Sequence, residues 1–534
     1  MHFNSIFPAL MAVASVKAAT TLDCDSSLIS YPTAPGVEVL SLNATHVTNF
    51  SFSITEQLVS HYPQNLTSLD FCNVTIRYTH PGQNDDVNIQ IWLPDSWNGR
   101  FLGTGGGGFA GGEIQRGSLA IGVSQGYVSV ATDGGHSRSF GVATAPWAQV
   151  SPFNVDQYAL HNFASAALND MTVLGKSLTK AFYGSEPQYS YWNGCSTGGR
   201  QGLMLAQRFP GSYDGILAAA PGLNWDRMLA AGLYPQVLMN NLTYYPSACE
   251  LDAISSAIIA ACDGDDGVED GILSAPWPCE FDYSSIVGNV VTCEGGDTLE
   301  ITEAGVKIAE GAYNGPQSSS GEQLWFGPTL GSPLTSVTAL AVTTCTNNAN
   351  CTGAPNPIAL DWVRLFVDKD PDFTLDSVWT REQFQRLFHA STQQYLSIIG
   401  TSDPDLSEFK AQGGKIITWH GLMDEIVPSK GTTDYYSRVE DLDSDIRSFF
   451  RHFEAPGVEH CYLGVGPFPG ESFEALVNWV ENGESPNVLA ARSEGTDGTV
   501  RRRNLCPWPL EALYKDGDAA LAESFECGTG VGGF

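Results

Sequence analysis

The sequence predicts an α/β protein in which one sheet is interrupted by a large insertion. Three observations predict it. Strand-like runs closed by turn residues occupy 86–133, recur at 190–222 and return at 414–457. Between 226 and 395 that signal stops, and acidic turns, cysteines and the Gly/Ser stretch "NGPQSSSGEQ" replace it. Gly194-Cys195-Ser196-Thr197-Gly198 fits G-x-S-x-G, the strand-to-helix turn that exposes a serine in the α/β-hydrolase fold. The expected architecture is therefore an α/β-hydrolase fold with a large inserted lid domain.

The elements follow in order. "MHFNSIFPALMAVASVKAAT" is an apolar run ending in small residues, and residues 1–18 read as a signal peptide. "DVNIQIWLP", "RFLGTG" and "YVSVATDGG" open the sheet within 86–133. "SYWNG" is the next strand and feeds the helix-like "GRQGLMLAQRFP"; "YDGILAAAPG" is a short buried strand closed by Pro-Gly. After the insertion, "GKIITWHG" and "RSFFRHFEAPG" resume the sheet, and "SFEALVNWVENG" is helix-like. This order suits a catalytic domain over 19–225 and 396–534, with a lid domain over 226–395.

Composition narrows the class. Hydrophobic residues are 43 % and charged residues 16 %, which suits a core-rich globular chain. A formal charge of −33 argues against nucleic acid or an anionic membrane as partner and suits acidic surroundings. Twelve cysteines, an even number, and sequons at Asn43, Asn49, Asn65, Asn73, Asn241 and Asn350 point to a secreted, glycosylated protein. After the N-terminal segment, no apolar run is long enough to span a bilayer.

A serine hydroxyl attacks only when an imidazole removes its proton, and a carboxylate must orient that imidazole. Ser196, Asp424 in "WHGLMDEIVP" and His460 in "GVEHCYLG" supply these groups in the order of an α/β-hydrolase. His420 and His452 are rival bases but lie in apolar strand-like runs; Glu425 and Glu459 are rival acids that would point elsewhere. Cys195 precedes the nucleophile and Cys461 follows the base. A disulfide between them would hold Ser196 against His460, and closing so long a loop is worth roughly 5 kcal/mol in the chain-entropy model. The alternative is that both cysteines pair elsewhere.

"GTGGGGFAGG", 103–112, satisfies G-x-G-x-x-G, but the residues after it are too glycine-rich to open a helix. The loop instead suits an oxyanion hole, with N–H groups from Thr197 and from Gly107 or Gly108. In "CDGDDGVEDGIL" the glutamate due at position twelve of an EF-hand loop is Ser274. Asp263, Asp266 and Asp270, with the carbonyls of Val268 and Ile272, could still hold a hard cation. A solvated acidic turn is the alternative.

Taken together, "GCSTGGRQG", "WHGLMDEIVP", "ATDGGHS", "LCPWP" and the Cys195-Ser196, Asp424 and His460-Cys461 pairs resemble the tannase and feruloyl esterase family. The resemblance implies a lid inserted between nucleophile and acid. It also implies a structural calcium at D-x-x-D-x-x-x-D, matched by Asp263, Asp266, Val268, Asp270 and Ile272. It implies the disulfides Cys24–Cys72, Cys262–Cys279, Cys345–Cys351 and Cys506–Cys527 besides the clip; Cys249 and Cys293 are left to pair by elimination. The activity implied is hydrolysis of phenolic esters, feruloyl or coumaroyl esters of plant wall sugars in xylan degradation, or gallate esters as in a tannase. Tannases of the family are often cut at an internal dibasic site, and the only basic run here is Arg501-Arg502-Arg503. That tilts the expectation toward a feruloyl esterase. "NWDRMLAAGLYPQVLM", 224–239, is expected to hold the aromatic ring. No redox or nucleotide cofactor is implied, and both a monomer and a homodimer fit. A silent carbohydrate-binding protein on a hydrolase fold and a lipase are the competing readings.

Overall fold

The computed structural model describes residues 23–58, 60–112, 116–136, 145–274, 279–336, 338–348, 350–494 and 498–530. The expected signal peptide, residues 1–18, lies outside them.

Nine strands form one twisted sheet: β1 (Glu38–Ile54), β2 (Gln64–Thr79), β3 (Val87–Pro94), β4 (Arg100–Thr104), β5 (Val128–Thr132), β6 (Tyr189–Cys195), β7 (Gly215–Ala219), β8 (Lys415–Gly421) and β9 (Phe450–Ala455). Their order is β1-β2-β3-β5-β4-β6-β7-β8-β9. The first three strands and the β3–β5 pair are antiparallel; from β5 through β4 to β9 every pair is parallel. The parallel strands are buried on both faces, as crossover helices on each side require. β5 and β7 accordingly read as unbroken apolar or small-residue runs, buried at every position.

The sheet opens earlier than residue 86, which corrects the expected start. β1 and β2 form a long hairpin ahead of β3. β1, "EVLSLNATHVTNFSFSI", is the sheet edge and carries polar residues on both faces, so its alternation is blurred. Two hairpins near the C-terminus were also not expected: Leu489–Glu494 with Val500–Leu505, and Leu510–Tyr514 with Phe525–Thr529.

Between β7 and β8 the chain leaves the sheet. Helices Trp225–Ala231, Tyr234–Leu242, Ala248–Cys262, Glu303–Asn314 and Arg381–Ile399 pack there. Leu251, Ile254, Ile258 and Ile308 give this region a core of its own. A second buried cluster joins it to the sheet, bringing Trp225, Met228 and Trp362 against Phe109, Ile426 and Val427. The insertion is thus seated on the loops after β4 and β8, where open α/β sheets gather function. Disulfides join Cys24–Cys72, Cys195–Cys461, Cys249–Cys293, Cys262–Cys279, Cys345–Cys351 and Cys506–Cys527.

Candidate active site

Ser196 stands between the end of β6 and the helix Thr197–Arg208 with φ 61° and ψ −123°. An L-residue held there costs about 1–3 kcal/mol, so the neighbours must enforce it. Ser196 N–H donates to the Ala219 carbonyl at 3.1 Å, and Gly198 N–H to the Gly106 carbonyl at 3.0 Å. The flanking glycines are a packing requirement. A Cβ at Gly194 would lie 2.5 Å from the Gly198 carbonyl, and one at Gly198 would lie 3.1 Å from Gly105 Cα.

The turn lifts the serine toward His460. Ser196 Oγ–H donates to His460 Nε2 at 2.9 Å, and His460 Nδ1–H donates to Asp424 Oδ2 at 2.7 Å. Asp424 follows β8 and is buried; its Oδ1 accepts the N–H groups of Ile426 and Val427 at 3.0 and 2.8 Å. Burial works against its charge, but His460 and His420 outweigh this and hold the carboxyl well below the usual range. Burial likewise pushes the His460 imidazole down, and Asp424 more than restores it, leaving it above its ordinary value. The disulfide Cys195–Cys461 brings its two Cα atoms to 5.9 Å across 266 residues of sequence, setting the two loops side by side.

The rival residues fall into distinct places. His452 is buried between Thr418 and Thr433, and burial pushes it down to about 3. His420 is buried in β8, yet its Nε2–H donates to Asp424 Oδ2 and to the Val427 carbonyl, both at 3.0 Å. Its Nδ1 accepts the Thr432 hydroxyl at 2.8 Å. It therefore braces the acid and does not face the serine. Glu425 accepts the backbone N–H of His460 at 3.1 Å. Burial, then Glu425 and Asp424, push the Glu459 carboxyl up to about 7.

The glycine loop after β4 is held by three side chains. Gln201 accepts Gly106 N–H at 3.0 Å and donates to the Gly111 carbonyl at 3.1 Å. The Thr197 hydroxyl donates to the Gly108 carbonyl at 2.6 Å, and His136 Nε2–H to the Phe109 carbonyl at 2.5 Å. Gly108 has φ 55°, a conformation that favours glycine. The N–H groups of Thr197, Gly107 and Gly108 make no recorded bond among the described residues. Gln201 and His136 were missed as loop supports, although both sit inside motifs already singled out, "GCSTGGRQG" and "ATDGGHS".

Aromatic residues wall this region. Phe109 meets Trp225 edge-to-face at 5.6 Å, and Arg200 lies buried over the rings of Phe163 and Trp225 at 5.3 and 5.7 Å. A Cβ at Gly222 would lie 3.6 Å from Met228 and 3.8 Å from the Ser196 carbonyl. Met228, in the first part of 224–239, thus lies close to Gly222 and the Ser196 turn.

The acidic loop lies apart, after the helix Ala248–Cys262. Asp263 accepts Gly271 N–H at 2.8 Å, Asp266 accepts Val268 N–H at 3.0 Å, and Asp270 accepts Ile272 N–H at 3.1 Å. Asp263, Asp266 and Asp270 are half-buried, and Arg503 donates to Asp270 at 3.1 Å. Cys262 and Cys279 beside Asp265 are tied in a disulfide and offer no thiolate. Among the sequons, Asn43, Asn49, Asn65, Asn241 and Asn350 are exposed and Asn73 is half-buried.

Residues 72–528 match the family model "Tannase and feruloyl esterase". A "Probable feruloyl esterase" from Arthroderma benhamiae is 38 % identical over 98 % of this chain and 96 % of its own. The structure of "Tannin acyl hydrolase from Aspergillus niger" superposes with a TM-score of 0.85 at 28 % identity, covering 96 % of this chain and 97 % of that one. Feruloyl esterase B from Aspergillus oryzae gives 0.78 at 27 % identity, over 93 % and 97 %. A serine, an imidazole and a carboxylate in hydrogen-bonded sequence accord with these matches, and the chain belongs to the tannase and feruloyl esterase family of carboxylic ester hydrolases.

Proposed function

We propose that this ester hydrolase is secreted and releases phenolic acids such as ferulate or p-coumarate from plant cell-wall esters, with Ser196 as nucleophile, His460 as base and Asp424 as its orienting acid. The observation that carries the mechanism is the unbroken chain from Asp424 through His460 to Ser196, at 2.7 and 2.9 Å. Ser196 Oγ attacks the ester carbonyl carbon while its proton passes to His460 Nε2. The developing oxyanion is met by Thr197 N–H and by Gly107 or Gly108 N–H. The C–O bond then breaks, and the His460 proton goes to the leaving alcohol. Water, deprotonated by His460, attacks the acyl-enzyme, and the phenolic acid departs as Ser196 regains its proton. Trp225, Phe109 and Met228 would pack on the aromatic ring.

Twelve cysteines joined in six disulfides support the extracellular assignment. Asp263, Asp266 and Asp270, half-buried in one loop, are the residues that would hold a structural calcium, a hard cation that takes oxygen ligands, with the carbonyls of Val268 and Ile272 completing the set. Arg503 already meets one of these carboxylates.

The match to the tannin acyl hydrolase favours a second reading, cleavage of gallate esters. Comparing kcat/KM on methyl ferulate, methyl gallate and a long-chain acyl ester separates them. Ferulate is expected to lead, and Ser196→Ala to abolish turnover of all three. A preference for gallate would install the tannase reading, and one for the long chain would remove both.

A further inference from the structure

Glu425 stands beside the triad acid but outside the chain from Asp424 to Ser196. It is 4 % exposed, and its carboxylate has two recorded bonds. Oε2 accepts the backbone N–H of His460 at 3.1 Å, and Oε1 accepts the Thr338 hydroxyl at 2.5 Å. Thr338 belongs to the insertion, on a strap that meets the acid loop twice more. The hydroxyls of Thr329 and Ser429 are 3.1 Å apart, and the Ser332 hydroxyl donates to the Leu422 carbonyl at 3.5 Å.

A buried carboxylate with only neutral donors is costly unless its charge serves something. Its two hydrogen-bond donors, the Thr338 hydroxyl and the His460 backbone N–H, are both neutral. The group that gains is His460, which turns cationic when Ser196 attacks.

We propose that Glu425 is a positioning residue that ties the backbone of His460 to Thr338, so that the base stays in register with Ser196 only while Thr338 is seated. Two carboxylates thus hold one histidine: Asp424 grips its ring and Glu425 its main chain. The inference rests on His460 acting as the base. The ionisable groups around Glu425 are Asp424, Glu459, His460 and Tyr462, and its charge helps to raise the last three.

Three variants separate charge from tethering. Glu425→Gln keeps the shape: its amide oxygen can accept from His460 and its NH2 can donate to Thr338, so only charge is lost. Its acid limb of kcat/KM is expected to move to lower pH by about half a unit, because the imidazole loses a negative neighbour. Thr338→Val cuts only the lid arm. Its kcat is expected to fall roughly three- to tenfold with KM little changed, and hydrogen exchange across 329–336 and at Thr338 to quicken. Glu425→Ala loses both arms and is expected to fall about 10–100-fold in kcat. Thermal midpoints of all three identify any variant that has merely lost its fold, in which case the other two decide. A Glu425→Gln acid limb that stays in place, or a Thr338→Val enzyme with wild-type kcat despite faster exchange, overturns the proposal. A fully active Ser196→Ala enzyme would remove the underlying mechanism instead.

Discussion

At the scale of single residues, the carboxylate of Asp424 is held by a full set of donors. Asp424 receives four N–H donors, two from backbone and one each from His460 and His420, which fixes its rotamer and keeps it ionised. That charge lifts the His460 imidazole above its ordinary value once burial has been overcome. The base works only when neutral, so kcat/KM is expected to fall as pH drops through a value above about 6.5, the unperturbed imidazole value. A pH–rate profile checks this, and an acid limb near 5 would contradict it. Ser196, Asp424 and His460 were legible because each type and its order carry chemistry. His420 was legible only as a buried strand histidine. Its bond to Asp424 depends on where the chain turns after β8, which spacing alone does not state.

At the scale of elements, Ser196, Asp424 and His460 sit on turns clamped by other segments. The glycine loop is braced by Gln201, Thr197 and His136, and the elbow by Ala219 and Gly106. The Cys195–Cys461 disulfide adds a covalent clamp between the serine turn and the histidine loop, in which Cys461 and Leu463 have φ 64° and 69°. Positive φ at non-glycine residues needs such enforcement. Replacing both cysteines by Ala is therefore expected to cut kcat by about tenfold or more, with a smaller proportional loss of folded yield. Unchanged turnover in the folded double variant would show that packing alone aligns the pair. Strands β3 to β9 were readable from apolar runs ended by turns. The edge strand β1 was not, because an exposed edge needs polar residues on both faces and so loses its period; β2 keeps its period, with Val74, Ile76 and Tyr78 buried at alternate positions, and was passed over.

At the scale of the molecule, acidity and burial act together. Desolvation pushes Asp226 up to about 6 and Glu454 and Glu459 up to about 7. Each such carboxyl binds its proton more tightly folded than unfolded. At these three positions the folded state therefore holds more protons between about pH 4 and 7, and their contribution to stability falls as pH rises through that window, against the opposite and lower-lying contribution of the buried His61 and His452, pushed down to about 4 and 3. The charge of −33 acts in the same direction through self-repulsion. The thermal midpoint is expected to be higher at pH 5.5 than at 7.5, opposite to the acid limb of catalysis, and a chelator is expected to lower the pH 7.5 midpoint until calcium is restored. A melting series with and without chelator tests both; a midpoint that rises with pH would refute the first, and indifference to chelation the second.

The sequence by itself determined the strands from β3 to β9, the serine elbow and the order of Ser196, Asp424 and His460, because periodicity and local turn chemistry are written in neighbouring residues. Only the tertiary structure decided that His420 braces the acid, that Gln201 and His136 hold the glycine loop, and that a lid threonine reaches Glu425. Those contacts join residues far apart in the chain, and their geometry exists only once the sheet and the insertion have packed together.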